Sequence, residues 1–298
     1  MGKYLNVAMM ILVSIGGCGM GGGNCPKFLA GRKVGTIEPA QINEASGIAA
    51  SRKNAGVLWV HNDNWPSAVF ALTTGGKLLG TYNLAGVEIK NWEDIAIGPG
   101  PEPNVDYLYV GDIGDNSAKR KHITVYRVAE PNVVQPSDAN QPAINATLGD
   151  IEKIKLVYPD GPHNAETLMI DPLTKDLYIV TKEGRSKVYR AAFPQSVTEK
   201  TTPQYVARLS WGMATGGDIS PDGQMIIVRG YFGASLWMRP KEGPLWGAFA
   251  GQECSVPIIV ESQGEAIGFD ANGTGYYTTS ENRRQPIYYF PRDTKSKN

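Results

Sequence analysis

Short apolar runs recur along this chain in pairs, and each pair is followed by further runs of alternating apolar and polar residues. The first pair is Glu44–Ala50 with Leu58–Asp63, and the last is Glu265–Asp270 with Gly275–Glu281. Turn residues such as Pro221-Asp-Gly223 separate the paired runs, as in β-hairpins. The unit occurs five times with an acidic residue near each start, so the pattern predicts antiparallel strands rather than helices.

The spacing of the acidic residues that open these units is about 50 residues, which is the size of one propeller blade. The sequence therefore predicts an all-β protein, a single β-propeller of about five four-stranded blades. The interval from Glu93 to Glu166 is longer, and six blades are the alternative. Its excess, Pro131–Leu148, is rich in Pro, Asn, Asp and Gln and is predicted to be an inserted loop.

The last repeat stops after its third strand, near Phe290. The N-terminal run Lys33–Ile37 has the alternation of a strand and can supply the missing outer one. Such a closing strand removes an exposed sheet edge, so we expect residues 33–298 to form the propeller domain.

The N-terminus carries Lys3 and then the apolar run Val7–Ile15, which is too short to cross a bilayer and is typical of a signal peptide. Small residues precede Cys18 as in a bacterial lipobox. We therefore expect residues 1–17 to be a lipoprotein signal peptide, and 18–32 a tether lipidated with palmitate at Cys18. The alternative is an ordinary signal peptide that happens to be followed by a cysteine. The predicted location is the cell envelope, exported and membrane-anchored on its periplasmic or surface side.

The net charge of the chain argues against two classes of partner. Lys plus Arg and Asp plus Glu both number 29, so the chain has no net positive charge that would attract a nucleic acid or an anionic membrane surface. Hydrolase elbows, His-Glu-x-x-His and Walker A motifs are absent from the sequence. We expect a monomer that binds a small anionic ligand, a glycan or a protein at the mouth of its channel.

Two cysteines, Cys25 and Cys254, remain if Cys18 is lipidated. An oxidising compartment allows them to form a disulfide that fastens the tether to the domain. The alternative is a buried, free Cys254 and an unpaired Cys25.

The first strand of each propeller blade lines the central channel, so the acids that open the five repeats are expected to converge there. Unpaired carboxylates at short range repel one another and need a cation, a basic partner or backbone N–H groups. A set of oxygen ligands favours Ca²⁺. The alternative is that the acids clasp the backbone of neighbouring blades. These acids are Glu44, Glu93, Glu166, Asp218 and Glu265.

Polar residues at the ends of the second strands depart from the repeat and are expected at one mouth of the channel. Among them, Asp112, Glu183 and Glu281 are further candidate metal ligands. Lys182 and Arg229 are suited to hold an anion, or else they neutralise the channel acids.

His61, at the end of another second strand, is a candidate general base or metal ligand, with a structural hydrogen-bonding role as the alternative. Exposed aromatic residues such as Trp65 or Tyr231 could stack on a sugar at the same mouth.

Lys182-Glu183-Gly184, Glu265-Ala-Ile267 and Tyr276–Glu281 make the second half of the chain resemble β-propeller phytases and the phytase-like esterases. The resemblance implies a calcium-rich mouth where metal ions and basic residues bind a phosphate ester and activate water. Lys182 and Glu183 would match the substrate-side pair of that group, and Glu265 and Glu281 its calcium-side acids.

Two functions follow from these expectations, a ligand- or Ca²⁺-binding propeller and a calcium-dependent hydrolase of phosphate or carboxylic esters. The hydrolase requires four acids to share cations within reach of Lys182 and Arg229. The binding protein requires exposed aromatic residues instead. The four acids are Asp112, Glu183, Glu265 and Glu281.

Overall fold

The structure is a computed structural model that describes residues 25–134 and 142–294. Its strands form five antiparallel blades, numbered here in chain order. The innermost strand of each blade contacts the innermost strands of the two adjacent blades, so the five sheets close into a ring around a channel. The predicted five-bladed propeller is confirmed, and six blades is wrong. Cys18 and the predicted signal peptide lie outside the described residues.

The strands of each blade are given from the channel outward. Blade 1 contains β2 Ala45–Ala50, β3 Val57–Asn62, β4 Ala68–Thr73 and β5 Leu78–Leu84. Blade 2 contains β6 Asp94–Pro99, β7 Asp106–Asp112, β8 Ile123–Ala129 and β10 Glu152–Leu156. Blade 3 contains β11 Ala165–Ile170, β12 Leu177–Thr181, β13 Lys187–Ala191 and β14 Gln204–Arg208.

Blades 4 and 5 complete the ring. Blade 4 contains β15 Ala214–Ile219, β16 Met225–Gly230, β17 Ala234–Met238 and β18 Cys254–Val256. A 3-10 helix, Leu245–Ala250, precedes β18. Blade 5 contains β19 Gly264–Phe269, β20 Gly275–Ser280, β21 Pro286–Pro291 and β1 Arg32–Thr36.

The N-terminal strand closes the ring as the sequence predicts. β1 pairs antiparallel with β21, with Arg32 opposite Tyr289 and Thr36 opposite Pro286. A sheet edge that would otherwise expose unpaired backbone groups is thereby covered. The first and last strands of the domain thus belong to one blade.

The insertion within blade 2, between β8 and β10, differs from the expectation of a structureless loop. Ile144–Leu148 forms a strand, β9, which pairs in parallel with β5 and gives blade 1 a fifth strand. Tyr82 and Leu84 of β5 are buried, and Ala146 and Leu148 pack against their cluster. An outermost strand has one half-exposed face, so its apolar alternation is weak in the sequence.

The core lies between successive blades, because each strand buries side chains on both faces of its sheet. Trp59 and Trp92 are fully buried in the cluster between blades 1 and 2, and Trp237 is buried in the cluster between blades 3 and 4. None of the helices among residues 25–134 and 142–294 is long and apolar enough to span a membrane.

Candidate functional site at the channel mouth

A β-bulge at the start of the inner strand sets the direction of the central acids. The ladder between the first two strands skips one residue in four blades, at Ser46, Glu166, Thr215 and Glu265. Glu93 directly precedes β6, and its N–H donates to Gly111 of the paired strand. A bulge turns a side chain out of the regular alternation. The repeat thus places three glutamates at one height in the channel.

Glu93, Glu166 and Glu265 form the inner acid group. They come from blades 2, 3 and 5, and all three are buried. One carboxylate oxygen of each lies within 4.8 Å of the others. Ser46 of blade 1 donates to Glu265 Oε2 over 3.1 Å, so a fourth blade contributes a hydroxyl to the group.

Lys182, at the end of β12, neutralises part of the inner acid group. Its Nζ lies 2.6 Å from Glu166 Oε2 and 3.8 Å from Glu265 Oε1. It also donates to the Tyr231 hydroxyl over 2.7 Å, and Tyr231 donates in turn to Glu265 Oε1 over 3.0 Å. Lys182 therefore has the neutralising role that the sequence left as an alternative to anion capture.

Burial and mutual repulsion make the inner acids hard to ionise together. Burial, and after it the charges of Glu166 and Glu265, raise the pKa of Glu93 far above its usual range. Burial and Glu265 likewise raise the pKa of Glu166, and Lys182 opposes this rise. One ammonium does not balance three carboxylates, so the group holds protons at neutral pH unless a further cation enters.

Glu44, Asp63 and Glu281 form the outer acid group, which is half-buried. Glu44 precedes β2, Asp63 follows β3 and Glu281 follows β20, and one carboxylate oxygen of each lies within 4.8 Å of the others. The Asp63 N–H donates to the Glu44 carbonyl over 3.0 Å, which ties two of the three backbones together.

Among the described residues, no basic side chain forms a salt bridge with the outer acid group. No salt bridge of the described residues includes Glu44, Asp63 or Glu281. Burial, then Glu44 and Glu265, raise the pKa of Asp63 to about 6, and burial and Glu265 raise that of Glu281. Each of these carboxylates would gain from a cation that no protein side chain supplies.

Asp218 lies apart from both acid groups. It sits three residues after the bulge of β15, and its two carboxylate oxygens accept the N–H groups of Ile219 and Phe269 over 2.8 Å each. Asp94 of β6 does the same with Ile95 and Leu168. Each of these aspartates accepts a backbone N–H of the next blade and so holds two blades together. This is the alternative to metal binding that the sequence left open for the channel acids.

Two other acidic candidates are held outside the acid groups. Asp112 accepts a hydrogen bond from Arg120 Nη1 over 2.8 Å and another from the Asn91 N–H. Glu183 lies 2.5 Å from His163 Nδ1. Of the three second-strand acids that the sequence proposed as metal ligands, Glu281 joins the central acids and Asp112 and Glu183 do not.

Arg229 and His61 are enclosed by protein. Arg229 is fully buried, and its Nη1 donates to Glu261 over 3.2 Å and to the Ala266 carbonyl over 3.1 Å. His61 is fully buried with Nδ1 2.8 Å from the Asn62 carbonyl, and burial lowers its pKa to about 4. In this conformation neither side chain is accessible to a ligand at the mouth.

An apolar cavity of about 590 Å³ opens beside the acids, on blade 4 and the loop that leads into it. Trp211, Met213, Tyr231 and Phe232 line it, and Phe232 is 85% exposed. Glu253 accepts hydrogen bonds from Trp211 Nε1 over 2.8 Å and from two serine hydroxyls, which fixes the indole. Because Tyr231 also binds Glu265, the cavity adjoins the inner acid group.

The backbone of Met213 is strained at the rim of this cavity. Its φ is 62°, in the left-handed region that favours glycine, although its side chain is apolar and 45% exposed. The Met213 N–H donates to the Glu183 carbonyl over 2.7 Å, which helps hold this conformation. Strain of this kind is found where a site needs a particular side-chain position.

Cys25 and Cys254 form a disulfide across 229 residues of sequence. It ties the segment before β1 to β18 in blade 4. Of the two alternatives left by the sequence, the structure has the bonded one.

Several residues of the site were not among the sequence candidates. Asp63 completes the outer acid group, Ser46 binds Glu265, and Trp211 and Phe232 line the cavity. Tyr231, expected only to stack on a sugar, also binds Glu265. Alignment of the repeats on the bulge would have found Ser46, since it occupies the position of Glu166 and Glu265. The aromatic residues carry no such signal, because they lie in loops of different lengths.

Comparisons with known proteins show no family for this chain. No protein-family model and no curated protein matches the chain. The PQQ-bound aldose sugar dehydrogenase from Streptomyces coelicolor has 14% identity and a TM-score of 0.47, covering 90% of this chain and 100% of that chain. A nidogen/laminin complex has 13% identity and a TM-score of 0.46, covering 80% and 73%. The protein U3-55K has 9% identity and a TM-score of 0.43, covering 90% and 100%. Such low similarity assigns no activity.

Proposed function

We propose that this protein is an exported, lipid-anchored binding protein whose channel mouth binds a glycan beside a calcium ion. The observation that carries the proposal is the apolar cavity of about 590 Å³ that adjoins the acidic centre. Binding pockets for small ligands combine apolar walls with a few placed polar groups.

The cavity has the chemistry that a sugar ring requires. Trp211 and Phe232 offer flat apolar surfaces for the C–H face of a ring, and Glu253 holds the indole of Trp211 in place. The Glu253 carboxylate lies on the same wall, and its Oε2 accepts one hydrogen bond, from Ser210, so it can accept another from a sugar hydroxyl. A rigid aromatic wall lowers the entropy lost when a ligand binds.

The outer acid group supports the calcium part of the proposal. Calcium binds oxygen ligands at about 2.3–2.6 Å, so two ligands of one ion lie at most about 5 Å apart. The oxygens of Glu44, Asp63 and Glu281 meet that condition within 4.8 Å, and no salt bridge of the described chain involves these residues. Their carboxylate oxygens are hard ligands, which bind Ca²⁺ better than they bind softer metal ions.

Binding is favoured over phytase-like hydrolysis because the hydrolytic groups do not converge. Arg229 is buried against Glu261, Glu183 contacts His163, and Asp112 pairs with Arg120. Lys182 is occupied by Glu166. The arrangement leaves the anion of a phosphate ester without the two basic groups that the hydrolase hypothesis assigned to it.

Export and lipid anchoring rest on two supports. The first is the signal-peptide pattern and the lipobox at Cys18. The second is the disulfide between Cys25 and Cys254, since disulfides persist in oxidising compartments outside the cytoplasm. Mass spectrometry of the mature N-terminal peptide tests this part, and we expect a lipid mass on Cys18.

Glycan binding is tested with the full chain in detergent, probed with an array of defined oligosaccharides in Ca²⁺ buffer. We expect Trp211→Ala and Phe232→Ala to weaken binding of the best oligosaccharide about tenfold or more, since each removes an aromatic contact. Trp65→Ala is the matched control, because Trp65 is 78% exposed and lies outside the cavity. Failure of every oligosaccharide to bind, or equal binding by all three variants, would refute the glycan site.

Calcium binding is tested separately by thermal melts in EDTA and in added Ca²⁺. At a concentration 100 times the Kd, a ligand stabilises by about 2.7 kcal/mol, which corresponds to a rise of about 5 °C in Tm for a domain of this size. Glu281→Gln should abolish the rise, while Glu102→Gln, an exposed acid on a loop between β6 and β7, should retain it. A Tm that Ca²⁺ does not change would contradict the calcium site and leave the glycan test unaffected.

A further inference from the structure

A second cavity lies between blades 2 and 3, with a volume of about 230 Å³. Arg120 and His122 line it from the loop between β7 and β8, and Tyr158 lines it from the segment that follows β10. Arg120 and His122 are partly buried, and Lys119 and Lys121 beside them are exposed.

Three side chains of this cavity carry polar atoms without partners among the described residues. They are Arg120 Nε and Nη2, His122 Nδ1 and the Tyr158 hydroxyl. Tyr158 is 7% exposed, so its hydroxyl is removed from bulk water. An unsatisfied buried polar group is costly, and in native proteins it commonly marks a ligand or an ion that binds there.

One side of the Arg120 guanidinium already has hydrogen-bond partners. Its Nη1 donates to Asp112 Oδ1 and to the Gly114 carbonyl, over 2.8 Å each. The remaining edge, Nε and Nη2, is the pair of parallel N–H groups that arginine uses for a two-oxygen contact with a carboxylate or phosphate. Asp112 therefore orients the guanidinium while leaving that edge available.

The titratable side chains that line the cavity are mostly basic. Lys121 lines it, and burial first, then the charges of Lys200, Lys90 and Lys155, lower the pKa of His122. Asp115 is the acid on the same wall, and its Oδ2 accepts the Arg120 backbone N–H over 2.7 Å. His163, also on the wall, is engaged by Glu183 and Asp160.

We propose that the cavity between blades 2 and 3 binds a small oxyanion, a phosphate, sulfate or carboxylate group, through Arg120, His122 and Tyr158. Each of these residues can donate a hydrogen bond, and Arg120 supplies a fixed positive charge. The site shares no residue with the acid groups or the aromatic cavity, so it goes beyond the proposed function and does not depend on it.

The test is isothermal titration of the full chain with inorganic phosphate, sulfate and acetate in turn. We expect at least one anion to bind with one site per chain. Tyr158→Phe removes only the unpartnered hydroxyl and should weaken binding about fivefold. Tyr178→Phe is the matched control, because the Tyr178 hydroxyl also lacks a partner among the described residues but packs in the cluster between blades 3 and 4.

A second pair of variants tests the charge without disturbing buried contacts. Lys121→Gln should weaken binding about two- to fivefold, whereas Lys119→Gln, exposed and outside the cavity lining, should not. Binding of phosphate and sulfate but not acetate would assign a tetrahedral oxyanion, and binding of acetate alone would assign a carboxylate. The proposal is overturned if none of the anions binds, or if Tyr158→Phe binds as tightly as Tyr178→Phe.

Discussion

Lys182 Nζ lies 2.6 Å from Glu166 Oε2 and thereby places an ammonium group among the buried acids of the channel. The same nitrogen donates to Tyr231, which donates to Glu265. Three blades are therefore joined through one basic side chain. The contact explains how the repeat can place acids at equivalent positions without expelling them from the channel.

Replacing Lys182 with methionine tests this role. Lys182→Met leaves the carboxylates of the inner acid group without their ammonium, so we expect the free energy of unfolding to fall by about 3 kcal/mol. Urea denaturation at neutral pH measures the change. Lys241→Met, at an exposed position, is the control and should stay within about 0.5 kcal/mol of wild type. Equal stabilities of the two variants would contradict the role given to Lys182.

Buried His61 makes stability depend on pH. Its folded pKa is lowered to about 4 from 6.5, so below pH 6.5 the unfolded chain takes up a proton that the folded chain refuses. The stabilising term is complete above pH 6.5 and is lost as the pH falls through this window. At pH 5 the loss is about 2 kcal/mol. Buried acids with raised pKa values, such as Asp63 and Glu166, change stability in the opposite direction over this range, but they do so alike in wild type and in His61→Gln. Urea denaturation at pH 7 and pH 5 should therefore show a change on acidification that is about 2 kcal/mol less favourable in wild type than in the variant. An identical pH dependence in the variant would refute this origin.

The clasps made by Asp94 and Asp218 join neighbouring blades. Asp94→Ala and Asp218→Ala should each lower the free energy of unfolding by about 2 kcal/mol, because two backbone N–H groups lose their acceptor. Amide hydrogen exchange locates the effect. Exchange should accelerate at Leu168 in the first variant and at Phe269 in the second, since these are the N–H groups across the blade boundary. Each variant is the control for the other, and acceleration at both sites in both variants would argue against local clasps.

The disulfide between Cys25 and Cys254 closes a long loop of the unfolded chain. Loop-closure entropy predicts that the double variant Cys25→Ser/Cys254→Ser loses about 2–5 kcal/mol of stability. Thermal melts of the variant and of wild type with reductant should agree with each other and lie below oxidised wild type. An unchanged Tm would mean that the unfolded chain is compact enough to offset the lost cross-link.

Blade number and closure were predictable because they depend on local patterns. Paired runs such as Glu166–Asp171 and Leu177–Glu183 are hairpins whose turn residues and apolar alternation are written in consecutive sequence. Strand β9 was missed because its pairing with β5 is parallel and joins residues more than 60 positions apart. No local turn sequence indicates such a pairing, because parallel strands are not joined by a tight turn.

The sequence by itself determined that this protein repeats a hairpin unit, that a ring of such units needs an N-terminal strand to close it, and that acids and aromatic residues recur near the strand ends. Only the tertiary structure decided which of them meet. Glu166 is the bulged residue of its strand and faces the channel, whereas Asp218 lies three residues after the bulge of β15. Because side chains alternate between the two faces of a strand, Asp218 points elsewhere and accepts the Phe269 N–H of the next blade. Burial of Arg229 and the meeting of Arg120 with Tyr158 likewise depend on how separate blades pack, and packing between distant segments leaves no mark in either segment alone.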